Sequence, residues 1–127
     1  MPEVTALYAG ILGLMAMALS SMVGTRRGKT GISIGDGGDA EMLLAVRRHA
    51  NFIEYVPLIL ILVGLLEVNG ISATAVHAML GALVFFRIAH AQGLKADTMQ
   101  GIGRLIGAMG TAIVLVVASI WNIVLFF

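Results

Sequence analysis

The 127-residue chain has no cysteine. That excludes disulfides, thiolate nucleophiles and cysteine-based metal sites. Any thiol chemistry would have to take its sulfur from a substrate. Charge is scarce as well. Asp, Glu, Lys and Arg together make up 12% of the residues, about half the roughly 25% of an ordinary soluble domain. No basic tract is present, so a nucleic-acid partner is not expected. No stretch sustains the alternating pattern of a barrel strand, which disfavours a membrane β-barrel. The three histidines, His49, His77 and His90, are scattered and give no metal-ligand spacing. The opening residues MPEV carry Glu3 and no Lys or Arg, so a cleaved secretory signal is not expected. The apolar run beyond them reads as a retained span.

What the chain has instead is apolar surface. It is 59% hydrophobic, with a mean hydropathy of +0.99. A domain this small cannot hide that much apolar area in one aqueous core, so the bilayer is the expected solvent. Four segments, 4–23, 42–68, 73–94 and 102–126, approach the roughly 20 apolar residues that a spanning helix needs. The expected architecture is an all-α integral membrane protein, a single four-helix domain over residues 1–127. Residues 24–40 form the one long connection and read as a surface loop, rich in glycine and charge. Its Gly35-Asp36-Gly37-Gly38 is read as a turn, because no Lys-Ser/Thr follows to hold a phosphate. Asp39 is a candidate N-cap for the second helix, and Asn69-Gly70 closes it. Pro57 falls inside that helix as a tolerated kink. Gly103, Gly107 and Gly110, with Ala108 and Ala112, offer a small-residue face for close helix approach.

All eight Lys and Arg residues cluster at one end of the four segments. Arg26, Arg27, Lys29, Arg47 and Arg48 flank the first connection. Arg87, Lys95 and Arg104 flank the third. The positive-inside rule places those connections in the cytoplasm and both termini outside, with Trp121 and Phe126-Phe127 toward the outer interface.

Polar residues inside a span are costly, roughly 2.5–3.5 kcal/mol for a mid-membrane Arg or Asp. The head of the second segment nonetheless carries Arg47, Asn51, Glu54 and Tyr55. At 100° per residue they fall within roughly a 100° sector of one helix face. Arg47 lies near the headgroups and Glu54 some 15 Å deep, counting about 1.5 Å per residue. Arg87 and His90 end the third segment on the same side, and Arg104 opens the fourth. Such a set predicts a pocket open to the cytoplasm. Arginines suit carboxylates, a carboxylate suits an ammonium, and Asn51 and Tyr55 add neutral partners. The ligand implied is small, zwitterionic and multiply anionic, with a second, lipophilic partner arriving from the bilayer. Against this stand plainer roles. Arg48, off the polar face, reads as an interfacial anchor. Glu67, His49 and His77 read as structural or incidental. Asn51 and Glu54 can join helices, and His90 is a ligand contact, a general base or a structural hydrogen-bond partner.

Arg47-x3-Asn51-x2-Glu54-Tyr55 with Pro57, Glu67-x-Asn69-Gly70 and Arg87-x2-His90-x2-Gly93 together resemble the MAPEG family, the membrane-associated proteins in eicosanoid and glutathione metabolism. The chain is most similar to short bacterial members related to microsomal glutathione transferases. The resemblance implies a homotrimer of four-helix subunits in a bacterial inner membrane, with glutathione as co-substrate between neighbours at the cytoplasmic side. It implies that Arg47, Asn51, Glu54 and Tyr55 hold the tripeptide. It further implies that Arg104 stands near the thiol and favours the thiolate, and that Arg26 and Arg27 reach a carboxylate. His90 and Leu94 stand where eukaryotic members carry tyrosines. The expected activity is glutathione transfer to a lipophilic electrophile, with peroxidase chemistry as a variant and no metal. A glutathione- or lipid-binding protein without chemistry, and a small transporter, remain the alternatives.

Overall fold

Caps and turns decide where each span starts and stops. In the computed structural model, which describes residues 1–94 and 101–127, four helices follow in order: α1 Glu3–Thr30, α2 Ala40–Val68, α3 Ala73–Gly93 and α4 Ile102–Val124. Among the described residues no strand occurs. Lys95 lies outside the described residues. All four helices are long and apolar enough to cross a membrane. At about 1.5 Å per residue, α1 and α2 reach roughly 42 Å and 43 Å, beyond the roughly 30 Å of a hydrocarbon core.

α1 runs seven residues further than hydropathy alone suggests, so the first connection is residues 31–39 and not 24–40. The apolar stretch marks where the bilayer ends, while the backbone ladder continues through Arg26, Arg27 and Lys29. Basic residues in a last turn favour the helix dipole. Gly31, at φ 71°, stops the helix, and its N–H donates to Arg27 O at 2.9 Å.

Asp39 starts α2 as expected, with Oδ1 accepting from Met42 N at 2.7 Å. The same carboxylate takes Nε and Nη2 of Arg26, at 3.1 and 2.8 Å. One side chain thus caps α2 and ties it to the end of α1. Beside Arg26 and the Met42 amide, the Asp39 carboxyl is held below its ordinary range. Arg27 donates to Ile32 O and closes the loop from within. At the far end, Gly70 (φ 87°) donates to Glu67 O and Ile71 to Leu66 O, the paired bonds of a glycine-terminated helix.

Glu67 closes the bundle at the opposite end. Its two carboxylate oxygens accept from Val4 N and Thr5 N, at 2.9 and 2.8 Å. Those amides belong to the first turn of α1, where no intrahelical partner exists. Here α2 supplies the cap that Pro2 cannot.

The core lies between α2, α3 and the inner faces of α1 and α4. Leu12, Phe52, Ile59, Val63, Leu66, Val76, Leu80 and Leu83 are buried there. α4 packs on α3 through its glycines. A Cβ at Gly107 would meet Phe86 O and His90 N at 2.5 Å, and one at Gly110 would strike the Phe86 ring. Most other large apolar side chains of α4, such as Ile113, Val116 and Ile120, face outward, as lipid-facing residues should.

Candidate functional site at the basic end of the bundle

The polar face of α2 straddles the edge of the bundle. Tyr55 and Asn51, at one side of the sector, are half-buried, whereas Arg47 and Glu54, at the other, are exposed. Glu54 is the midpoint of the 29-residue helix Ala40–Val68. Neither it nor Arg47 has a hydrogen-bond or ion-pair partner among the described residues. Two opposite charges on one face of a span, one at its middle, therefore look outward from the chain.

The covered side of the sector meets α3. Arg87 is 1% exposed and the largest fully buried side chain among the described residues. Its Nη2 donates to Asn51 Oδ1 at 2.8 Å and to His90 Nδ1 at 3.0 Å. Its Nη1 reaches Thr111 Oγ1 of α4 at 3.4 Å, and Thr111 in turn donates to Gly107 O at 2.7 Å. The guanidinium carbon lies 5.7 Å from the centre of the Phe52 ring, within cation–π range. No carboxylate among the described residues reaches Arg87, and its Nε has no partner. A buried cation is costly unless compensated. Here neutral acceptors from three helices and one aromatic face do that work.

Two more arginines close on the same place. Arg48 donates Nη2 to Leu94 O at 2.6 Å, so it fastens α2 to the end of α3 instead of reaching into the headgroups. Arg104 stands half-buried in the first turn of α4. The backbone at Arg104 lies against Gly93 at the end of α3, where Arg48 also ends. The basic end of the bundle is thus an electropositive junction of α2, α3 and α4, able to hold a carboxylate or a thiolate.

The sequence-derived set is brought together in part. Asn51 and His90 share the Arg87 guanidinium. Tyr55 packs half-buried against the core one turn further along α2. Arg26 is committed to Asp39 and Arg27 to loop carbonyls within the chain. An open groove of about 330 Å³ does run along α1 beside Arg26, lined also by Ser21, Thr25 and Lys29. His49 is half-buried without a hydrogen-bond partner among the described residues, and His77 pairs with Tyr8, whose hydroxyl lies 3.2 Å from Nδ1. Thr111 is the member sequence reasoning passes over, and Arg87, which it places at the pocket, receives no role from it. Arg87 left a signal, being the one Asp, Glu, Lys or Arg within the third span. Thr111 left none beyond a hydroxyl among apolar residues.

Residues 5–124 match the model of the MAPEG family. "Inner membrane protein YecN" of Escherichia coli strain K12 is 32% identical over 119 residues, covering 93% of this chain and 91% of that protein. The same protein of Escherichia coli O6:H1 matches equally. No solved structure matches the chain. A match over nearly every residue, on four helices long and apolar enough to span a membrane, establishes that the chain belongs to the MAPEG family.

Proposed function

We propose that the chain is a membrane-embedded glutathione transferase, which joins the glutathione thiolate to lipophilic electrophiles that enter from the bilayer. The observation that carries this is the pair Arg47 and Glu54, exposed on α2 with no partner among the described residues. Charges at that depth do not face lipid by default. A zwitterionic peptide satisfies both, its carboxylate on Arg47 and its ammonium on Glu54, while Asn51 and Tyr55 supply neutral contacts.

The same pair supports a homotrimer, in which a neighbouring copy covers the open face of α2 and completes the pocket. Arg104, at the head of α4, is assigned to the sulfur. A guanidinium there favours the thiolate, the reactive form. The thiolate attacks the electrophilic carbon, a C–S bond forms, and the leaving group departs with its electron pair. Binding in a fixed pose contributes the rest, by holding sulfur and carbon in register. The clustering of basic residues at this end supports a site facing the cytoplasm, and the relative's printed name supports the bacterial inner membrane.

Conjugation of glutathione to a chlorinated nitroaromatic by the purified oligomer tests the proposal. Turnover that depends on Arg104 is expected. A folded oligomer that binds glutathione, shows no thiolate absorbance and turns nothing over would instead mark a binding protein without chemistry. Substrate-coupled proton flux in liposomes without glutathione binding would point to a transporter.

A further inference from the structure

Arg87 does more than join three helices. A guanidinium donates and never accepts, so the atoms facing it are fixed in kind. Asn51 must present its oxygen to Arg87, which turns its NH₂ away. His90 must present an unprotonated Nδ1, so a neutral ring carries its proton on Nε2. The hydrogen bonds thus settle both an amide orientation and a tautomer.

We infer that Arg87 is a positioning residue, which, by donating to Asn51 Oδ1 and His90 Nδ1, makes both side chains N–H donors and so sets the site's preference for an anionic or acceptor group of the ligand. It needs no contact with the ligand to do this. Its burial at 1% exposure and its three-helix set of acceptors hold it in place. Lysine cannot reproduce the arrangement, because a single ammonium lacks the planar fork that reaches Asn51, His90 and Thr111 together. The identity of the ligand rests on the glutathione reading, but the tautomer does not.

The test separates the two. With His49 and His77 replaced by Gln, His90 is the last of the chain's three histidines, and ¹⁵N spectra of the ligand-free protein report its ring alone. A single neutral tautomer, protonated on Nε2, is expected, and Arg87→Gln should release a mixture of both. Glutathione should bind Arg87→Gln at least tenfold more weakly. The parent protein's discrimination between S-methylglutathione and glutathione ethyl ester, which block different acceptors, should shrink in the variant. Should Arg87→Gln fail to fold, Arg87→Lys is read in the same way, and the parent spectrum stands alone. A parent ring protonated on Nδ1 overturns the inference even if glutathione binds. So does an unchanged tautomer in the variant, or an equal loss of affinity for both blocked peptides, which is what a purely structural tie would give. The expected tautomer without any glutathione binding sinks the glutathione reading and leaves the positioning role standing.

Discussion

Arg87 Nη2 lies 2.8 Å from Asn51 Oδ1, joining two helices across 36 residues of sequence. The contact puts one member of the α2 polar ladder under the control of a buried cation. Removing the cation leaves Asn51 Oδ1 and His90 Nδ1 without their donor, at about 1–3 kcal/mol for a stranded buried group. Loss of a buried charge that no carboxylate pairs offsets part of that. Arg87→Met is therefore expected to cost about 1–2 kcal/mol of stability, seen as a modestly lower thermal midpoint in detergent.

The α3–α4 seam tolerates no added atom. Gly107→Ala sets a Cβ against Phe86 O and His90 N, each at 2.5 Å. Backbone cannot yield as a flexible side chain can, so a loss of about 1–3 kcal/mol is expected. Gly13→Ala in α1, where a Cβ meets nothing within 4 Å, is the control. It should be neutral or stabilising by up to about 1 kcal/mol, through helix propensity. Parallel melts of the two variants check this.

Glu67 caps α1 from a distance. Glu67→Ala strands the Val4 and Thr5 amides and should cost about 1–3 kcal/mol. Hydrogen exchange should quicken in the first turn of α1 ahead of the rest of that helix. Glu67→Gln, which keeps one acceptor oxygen, should fall between the two.

The Asp39 carboxyl is held below its ordinary range chiefly by Arg26. A group whose folded pKa is depressed contributes stability above its unfolded value, about 3.9. That contribution fades as pH falls through the folded value. The tie between α1 and α2 should thus be whole at pH 7 and weaken in acid below about pH 4. Asp39→Asn keeps a capping oxygen but loses the ion pair. Its thermal midpoint should drop less than the parent's between neutral and acid pH.

Much of this fold is legible in the sequence, because its signals are local. Asp39 before an apolar helix and Asn69-Gly70 after it act on backbone within a few residues, and both were readable as caps. The four spans follow from composition. The end of α1 was not legible, since hydropathy reports the edge of the bilayer and not the end of the hydrogen-bond ladder. Nor were the ties of long sequence separation, Glu67 to Val4 and Arg87 to Asn51, because nothing in a sequence says which distant group will meet a buried polar atom. The candidate site shows the same division. The spacing of Arg47, Asn51, Glu54 and Tyr55 puts them on one face. Only the packing of α3 divides that face into a covered side, with Asn51 on Arg87, and an open side, with Arg47 and Glu54. Arg26 illustrates a local competition: its nearest acid, Asp39, takes it within the chain.

If Arg104 serves the sulfur as proposed, its loss should harm turnover more than binding. Arg104→Leu is expected to lower kcat by on the order of tenfold to a hundredfold, with a smaller change in glutathione affinity and a weaker thiolate absorbance. Steady-state rates beside equilibrium binding would separate the two effects.

The central claim is that the open charges of α2 grip a zwitterionic peptide. Calorimetric titration of glutathione into the purified oligomer, and into Arg47→Ala and Glu54→Ala, tests it most directly. Saturable binding by the parent is expected, with a loss of about 1.5–3 kcal/mol in each variant for a missing charge-assisted contact. Equal affinity in all three proteins, or no binding by a folded parent, would contradict it.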